Sequence, residues 1–569
     1  MTATSERPAG SRTRGLARKY LHRAMARSLR LPPPTTDYII HRGVRAPMRD
    51  GVELLADHYA PTTATPRGTL LVRGPYGRAF PFSVLFGRLY AARGYHVVLQ
   101  SVRGTFGSGG VFEPMVNEAA DGADTVAWLR CQPWFTGRFA TVGLSYLGFT
   151  QWALLQDPPP ELAAAVVTVG PHDFNEASWG TGAFTLNDYL GWCDLVAHQE
   201  EGTRLQAGLR QIGARRRLAR ATEGLPLGEA ARSLLGTGAP WYEPWLEHPD
   251  RDDPFWHPFR FDAALDRVEV PVLLISGWQD IFLEQTLEQY RRLRRRGADV
   301  ALTVGPWTHT QMMSSGAGPV ARASLRWLDT HLAGITTDER SPVRIFVTGD
   351  RWVDLTHWPP AVGQQVLYLA PGGALAGSPP LDAAPPSTFR FDPANPTPTI
   401  GGRLLSPKGG YRKDSRLARR GDVLTFTGEP LASDLYVVGK PVVELSHAAD
   451  IPHVDLFVRV SEVDAGGRSR NVIDGYRRLV GTAEPNAVWI ELDATSHRFR
   501  AGSRIRLLVA GGCHPRYARN LGTEEPAVTG RRMMPSTHSV HHGLSRLVLP
   551  ASSRPPSAEP RPDRRRDLV

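Results

Sequence analysis

The sequence predicts an α/β protein built on a parallel sheet, interrupted by a helical insertion and followed by an all-β domain. Three observations carry this reading. Between residues 69 and 169, short apolar or β-branched runs alternate with helical stretches, the grammar of βαβ units. The alternation stops at Gly170 and resumes at Pro271. After about residue 341, period-two strands separated by Gly- and Pro-rich turns take over, and helical signals nearly vanish.

Taken in order, residues 1–36 form a basic arm that ends in Pro32-Pro33-Pro34. Within it Leu16, Tyr20, Leu21 and Met25 can share one helix face. A helix docked on the protein's own surface, or a disordered arm, accounts for that stripe better than a membrane-surface helix. Residues 37–170 and 266–340 form the α/β domain. Its strands are expected at Thr69–Arg73, Tyr95–Ser101, Phe139–Val142, Ala164–Val169, Pro271–Ser276 and Val300–Val304. Helices are expected at Glu118–Arg130, from about Glu284 to Arg296, and from about Ser324 to Leu332. Residues 171–265 are helical and rich in Trp, Tyr and Phe, and read as a cap. Arg204 to Arg220 reads as a basic amphipathic helix within it. Residues 341–552, with strands such as Arg344–Thr348, Gln365–Leu369 and Ile505–Ala510, read as a jelly-roll sandwich. Residues 553–569 read as a disordered tail.

Composition bounds the function. At 569 residues the chain exceeds one ordinary core. The formal charge of +11 comes mainly from arginines in the tails and a few helices, without a nucleic-acid-binding module, so a solvated basic surface is expected. Three distant cysteines, Cys131, Cys193 and Cys513, give neither a disulfide framework nor a zinc site, and fit a reducing, cytoplasmic setting. No run is apolar enough to span a bilayer, and the basic N-terminus lacks a secretory h-region, so no integral membrane association is expected. His538, His541 and His542 lack a Cys or carboxylate companion, and no metal is expected there. The glycines at 104, 107, 109 and 110 lack the Lys-Ser/Thr of a phosphate loop and read as turns. No cofactor is predicted.

The chemistry centres on Phe139–Trp152. An apolar strand runs into Ser145 and then at once into a helix, so the serine sits on a sharp turn beside free helix N–H groups. The usual G-x-S-x-G spacing is broken, because Leu147 precedes Gly148. Asp280 follows the strand PVLLIS and His309 follows the strand VALTV. The order Ser, Asp, His, each after its own strand, is that of an α/β-hydrolase triad. A serine hydroxyl is too weak an acid to attack unaided. His309 must take its proton, and Asp280 must fix the imidazole tautomer and stabilise its charged form.

The motifs VRGPYGR (72–78), QSVRGTFGSGGVFEP (100–114), GLSYLGFTQW (143–152), GAFTLNDYLGW (182–192), GWQDIF (277–282), GPWTH (305–309), FDPANPTPTIGG (391–402) and HPRYARN (514–520) together resemble the CocE/NonD group of α/β-hydrolases. That group includes cocaine-esterase-like enzymes, X-prolyl dipeptidyl-peptidases and α-amino-acid ester hydrolases. The resemblance spans about 37–550 and implies an α/β-hydrolase core, a cap and a jelly roll. It also accounts for the displaced glycine, since the family has Leu and Gly after its Ser-Tyr pair. It implies that the Tyr76 hydroxyl and the Tyr146 backbone N–H form the oxyanion hole. It further implies that Trp179, Trp192 and Phe282 line the pocket. Ile281, Phe282 and Leu283 offer no carboxylate where amino-ester hydrolases place two to bind an amine. Asp188 and Asp194 are left as either amine partners or solvated acids. The expected function is hydrolysis of carboxylic esters or amides through an acyl-enzyme on Ser145. X-Pro dipeptidyl-peptidase activity is the alternative, and acyl transfer with the same triad a more remote one. The expected partners are a small-molecule ester or a short peptide, with a homodimer as the assembly left open.

Overall fold

The computed structural model describes residues 23–557, except 25, 202–203, 337–340, 381–383 and 482. The Leu16, Tyr20, Leu21 and Met25 stripe and most of the expected tail lie outside the described residues. The inner end of the arm lies within them. Ala26 and Leu31 are buried, Arg322 Nη1 donates to the Leu29 carbonyl at 2.5 Å, and Arg93 Nε donates to the Pro32 carbonyl at 3.1 Å. This part of the arm docks on the protein's own surface.

Ten strands make the first sheet: β1 (Tyr38–Pro47), β2 (Glu53–Pro61), β3 (Gly68–Gly74), β4 (Tyr95–Ser101), β5 (Phe139–Leu144), β6 (Leu162–Thr168), β7 (Val272–Gln279), β8 (Val300–Thr308), β9 (Val343–Phe346) and β10 (Trp352–Leu355). Their spatial order is β1-β2-β4-β3-β5-β6-β7-β8-β9-β10. The pairs from β4 through β9 are parallel, while β1, β2 and β10 pair antiparallel. Every residue of β3 to β7 is buried, as the apolar runs demand of strands covered on both faces.

One expected boundary moves. The strand at Arg344–Thr348 was assigned to the jelly roll, but β9 belongs to the hydrolase sheet and pairs parallel with β8. The helix Ala317–His331 carries the chain back across the sheet, and such a crossover delivers a parallel neighbour. Val343 and Ile345 are both fully buried in the hydrolase core. The short hairpin to β10 then closes the sheet, with Trp352 opposite Phe346.

The second β system starts at Gly363–Ala370. Its strands connect into one near-barrel sheet, and the long final strand Ser536–Ser552 pairs with four others. Between β6 and β7 lie the cap helices Phe174–Trp179, Leu186–His198, Arg204–Glu223, Leu227–Leu235 and Tyr242–Glu247. Aromatic rings hold the cap together: Phe174 lies edge-on to Trp245 at 4.6 Å and to Tyr189 at 4.7 Å. Such edge-to-face pairs add to the burial of their area.

Candidate active site

Ser145, Asp280 and His309 follow the C-terminal ends of β5, β7 and β8, so the parallel sheet places them along one edge. Ser145 has φ 57° and ψ −123°, a left-handed backbone that a serine adopts only at a cost. Its surroundings fix it there. The Ser145 N–H donates to the Thr168 carbonyl at 2.9 Å, and its carbonyl accepts from Gly148 (2.7 Å) and Phe149 (3.0 Å). The helix Tyr146–Leu154 starts at the next residue, so the Tyr146 N–H has no intrahelical acceptor.

Asp280 is fully buried and His309 nearly so. The His309 Nδ1 lies 2.6 Å from Asp280 Oδ1. A carboxylate there requires the proton on Nδ1, which leaves Nε2 as the base. The other carboxylate oxygen accepts from the Ser276 hydroxyl and the Phe282 N–H, both at 3.1 Å. Asp280 therefore faces the imidazole in one orientation. Phe282 packs edge-on to the His309 ring at 5.4 Å.

Tyr76 stands on the loop after β3, stacked on Phe82 at 5.4 Å. Its hydroxyl accepts from the Trp192 indole N–H at 3.0 Å and interacts with the Ser145 hydroxyl. With one lone pair occupied by Trp192, the phenol proton is available to a second acceptor beside Ser145. Burial pushes the phenol up to about 12, so it remains a neutral donor. Trp192 also stacks on the Tyr146 ring at 6.1 Å. The Tyr146 hydroxyl donates to Glu118 Oε1 (2.8 Å) and accepts from the Met115 N–H (2.7 Å). Glu118 is buried and held by Arg73 at 3.1 Å. Burial raises the Glu118 carboxyl above its usual range, against the pull of Arg73 and Tyr146. Sequence reasoning missed Glu118, whose only local signal is its place at the start of a helix.

The three aromatic residues expected at the pocket are distributed differently. Trp192 and Phe282 touch the constellation. Trp179 packs on Phe184 at 5.2 Å and donates its indole N–H to the Trp245 carbonyl at 2.8 Å. Among the described residues no hydrogen bond or ring contact joins Trp179 to the triad. Neither Asp188 nor Asp194 is a solvated surface acid, since both are buried. Asp194 pairs with His198 one helical turn on, at 3.3 Å. Asp188 lines a cavity of about 450 Å³ where cap, hydrolase domain and sandwich meet. Ile281, next to Asp280, lines the same cavity, but Ser145, Tyr76 and His309 do not. The Asp188 hydrogen bonds, from Asn187 (2.9 Å) and the Leu405 N–H (2.8 Å), both use Oδ1. Its carboxyl is raised by burial.

The model of the X-Pro dipeptidyl-peptidase (S15 family) matches residues 50–311, and that of the X-Pro dipeptidyl-peptidase C-terminal non-catalytic domain matches 335–546. The cocaine esterase of Rhodococcus sp. (strain MB1 Bresler) is 31% identical, over 91% of this chain and 99% of its own. This chain belongs to the CocE/NonD family of serine hydrolases. An α-amino acid ester hydrolase superposes with a TM-score of 0.76 at 24% identity, covering 91% of this chain and 97% of its own. A CocE/NonD family hydrolase from Staphylococcus aureus gives a TM-score of 0.66 at 16% identity, covering 90% and 94%. Both likenesses extend the fold assignment over catalytic core, cap and sandwich together. Among the described residues no helix is long and apolar enough to cross a membrane.

Proposed function

We propose that this serine hydrolase cleaves carboxylic esters through an acyl-enzyme on Ser145. The observation that carries the reading is the 2.6 Å Asp280–His309 pair on the ends of β7 and β8, along the same sheet edge as the strained Ser145 turn. His309 Nε2 takes the Ser145 proton as Oγ attacks the ester carbonyl. The oxygen that becomes negative is met by the Tyr76 hydroxyl and the Tyr146 N–H. His309 then gives the proton to the departing alkoxide, and water repeats the sequence to free the acid. Esters are favoured because an alkoxide departs more easily than an amine, and because the 31%-identical relative is a cocaine esterase. Trp192 and Phe282 shape the site around the carbonyl, and Trp179 supports them from within the cap.

A second reading is favoured by one observation. Asp188 is buried, lines the cavity beside the Asp280 loop, and among the described residues makes no ion pair within hydrogen-bonding distance, although Arg516 lines the same cavity. A carboxylate so placed suits the free N-terminus of an Xaa-Pro peptide. The unpaired cysteines support a cytoplasmic setting, since Cys193 and Cys513 are buried and free and Cys131 is exposed and free.

The test is a panel of short-chain p-nitrophenyl esters beside an Xaa-Pro-p-nitroanilide. Ester turnover that disappears in Ser145→Ala, with no anilide turnover, supports the first reading. Anilide turnover that disappears in Asp188→Asn supports the second. An active-site phosphonate that labels wild type and Ser145→Ala equally would remove Ser145 from the chemistry.

A further inference from the structure

A second cavity, of about 520 Å³, opens where the docked N-terminal arm meets the helix Ala317–His331 and the β9–β10 hairpin. None of its lining residues belongs to the catalytic constellation. Among the described residues, four guanidinium groups line it, those of Arg30, Arg322, Arg326 and Arg344, together with Trp352 and one carboxylate, Asp354. Asp354 is 3.8 Å from Arg344, which also lies over the Trp352 ring at 5.6 Å. Among the described residues, Arg30, Arg322 and Arg326 have no carboxylate partner. Other arginines of the protein are paired: Arg130 faces Glu161 at 2.7 Å, Arg478 faces Asp455 at 2.8 Å and Arg459 faces Asp474 at 2.7 Å.

Arg322 is partly buried and Arg30, Arg326 and Arg344 are exposed, so four like charges gather along one hollow and repel each other. Burial together with Arg30 and Arg344 lowers the Arg322 guanidinium from the ordinary value. Backbone geometry provides an independent sign. Arg30 has φ 53° at a helix end, where the Leu31 N–H reaches back to the Ala26 carbonyl at 2.8 Å. That left-handed position is ordinarily taken by glycine. The chain instead keeps an arginine there, and the Arg322–Leu29 and Arg93–Pro32 bonds hold the arm so that Arg30 lines the cavity.

We propose that this cavity binds a multiply charged phosphoryl anion. Several guanidinium forks lining one cavity can match the oxygens of a phosphoryl group, with Arg322 keeping donors beyond the Nη1 bond to Leu29. The volume, about 520 Å³, has room for a diphosphate or for a phosphate carrying an organic group. Two sources share this chemistry, a soluble phosphorylated metabolite and a phosphorylated lipid headgroup.

The test uses the full chain with inorganic pyrophosphate in titration calorimetry, at low and at roughly physiological salt. Saturable binding is expected, weakening with salt. The Arg322→Gln/Arg326→Gln pair should lower the affinity at least about tenfold and leave ester turnover unchanged. Arg344→Gln, on the edge hairpin, should weaken binding as well and serves if the helix pair fails to fold. Arg215→Gln/Arg216→Gln, on the exposed face of the cap helix Arg204–Glu223, removes the same charge elsewhere and should change nothing. In parallel, cosedimentation with phosphatidic acid–phosphatidylcholine vesicles distinguishes the sources. Capture that pyrophosphate competes away and that the cavity variants lose assigns the site to a headgroup, whereas pyrophosphate binding without capture assigns it to a soluble ligand. No saturable binding of either probe, or an equal loss in the Arg215/Arg216 control, overturns the proposal.

Discussion

A phenol can stabilise an oxyanion only while it keeps its proton. For Tyr76 burial raises the pKa to about 12, against the pull of hydrogen bonds from Trp192 and Ser145. The neutral donor therefore survives beyond the ordinary phenol range near pH 10. Ester kcat should accordingly show no alkaline fall owed to Tyr76 up to about pH 10. A pH–rate profile at saturating substrate checks this, and an inflection there that vanishes in Tyr76→Phe would contradict it. Removing the donor is a separate matter. Tyr76→Phe should lower kcat by about 10²–10³-fold, the usual cost of one oxyanion donor, with little change in KM. Trp192→Phe keeps the ring that stacks on Tyr146 but loses the N–H that orients the phenol. Its expected loss is smaller, about tenfold, corresponding to one neutral hydrogen bond. Equal kcat for Trp192→Phe and wild type would show that Phe82 stacking alone orients Tyr76.

At the scale of elements, the displaced glycine of the nucleophile turn has a packing explanation. Leu147 occupies the place where glycine is usual, and the room it needs comes from opposite it. A Cβ at Gly143 would meet the Leu147 Cβ at 2.5 Å, and one at Gly74 on β3 would strike the Leu147 side chain. Gly148 serves a different contact, because a Cβ there would lie 2.6 Å from the Gly170 Cα. The helix Tyr146–Leu154 thus packs directly against the backbone that follows β6. Gly148→Ala should push helix and backbone apart and destabilise the fold by about 1–3 kcal/mol, read as a lower urea midpoint. An unchanged midpoint would mean that this backbone yields freely. Legibility in the sequence followed the range of the signal. The buried strands and the Ser, Asp and His positions were readable because each is announced by its own apolar run and the residue at its end. The hairpin β9–β10 was misassigned because four-residue strands with half-exposed patterns look alike in a sheet edge and in a sandwich. The Trp192–Tyr76 bond, spanning 116 residues, and the Glu118 support of Tyr146 have no local signature at all.

At the scale of the whole molecule, the cap and the sandwich are tied to each other and to the triad's own loop. Lys440 in the sandwich reaches Glu284, four residues beyond Asp280, at 3.1 Å, and Glu284 also accepts from the Ala494 N–H at 2.7 Å. Gln279, adjacent to Asp280, donates to the Val472 carbonyl at 3.0 Å. The sandwich therefore buttresses the turn that carries Asp280. The cap has its own tie. Glu223, at the end of the helix Arg204–Glu223, meets Arg519 at 2.7 Å and His514 at 3.3 Å, both in the HPRYARN stretch. The His514 hydrogen bond first, and Arg519 with it, hold the Glu223 carboxyl down at about 2. An acid whose folded pKa lies below its unfolded value near 4.3 adds stability that is fully present above that value and is lost as pH falls toward the folded one. Glu223 is half open to solvent, so the effect is modest and sensitive to salt. Glu223→Gln should melt below wild type at neutral pH, and the gap should close as pH falls from about 5 to about 2. Thermal melts of both proteins across that range decide the point. A gap that persists unchanged at the acid end would mean that the carboxylate's charge does not join cap to sandwich, and that packing alone holds the cap over the active site.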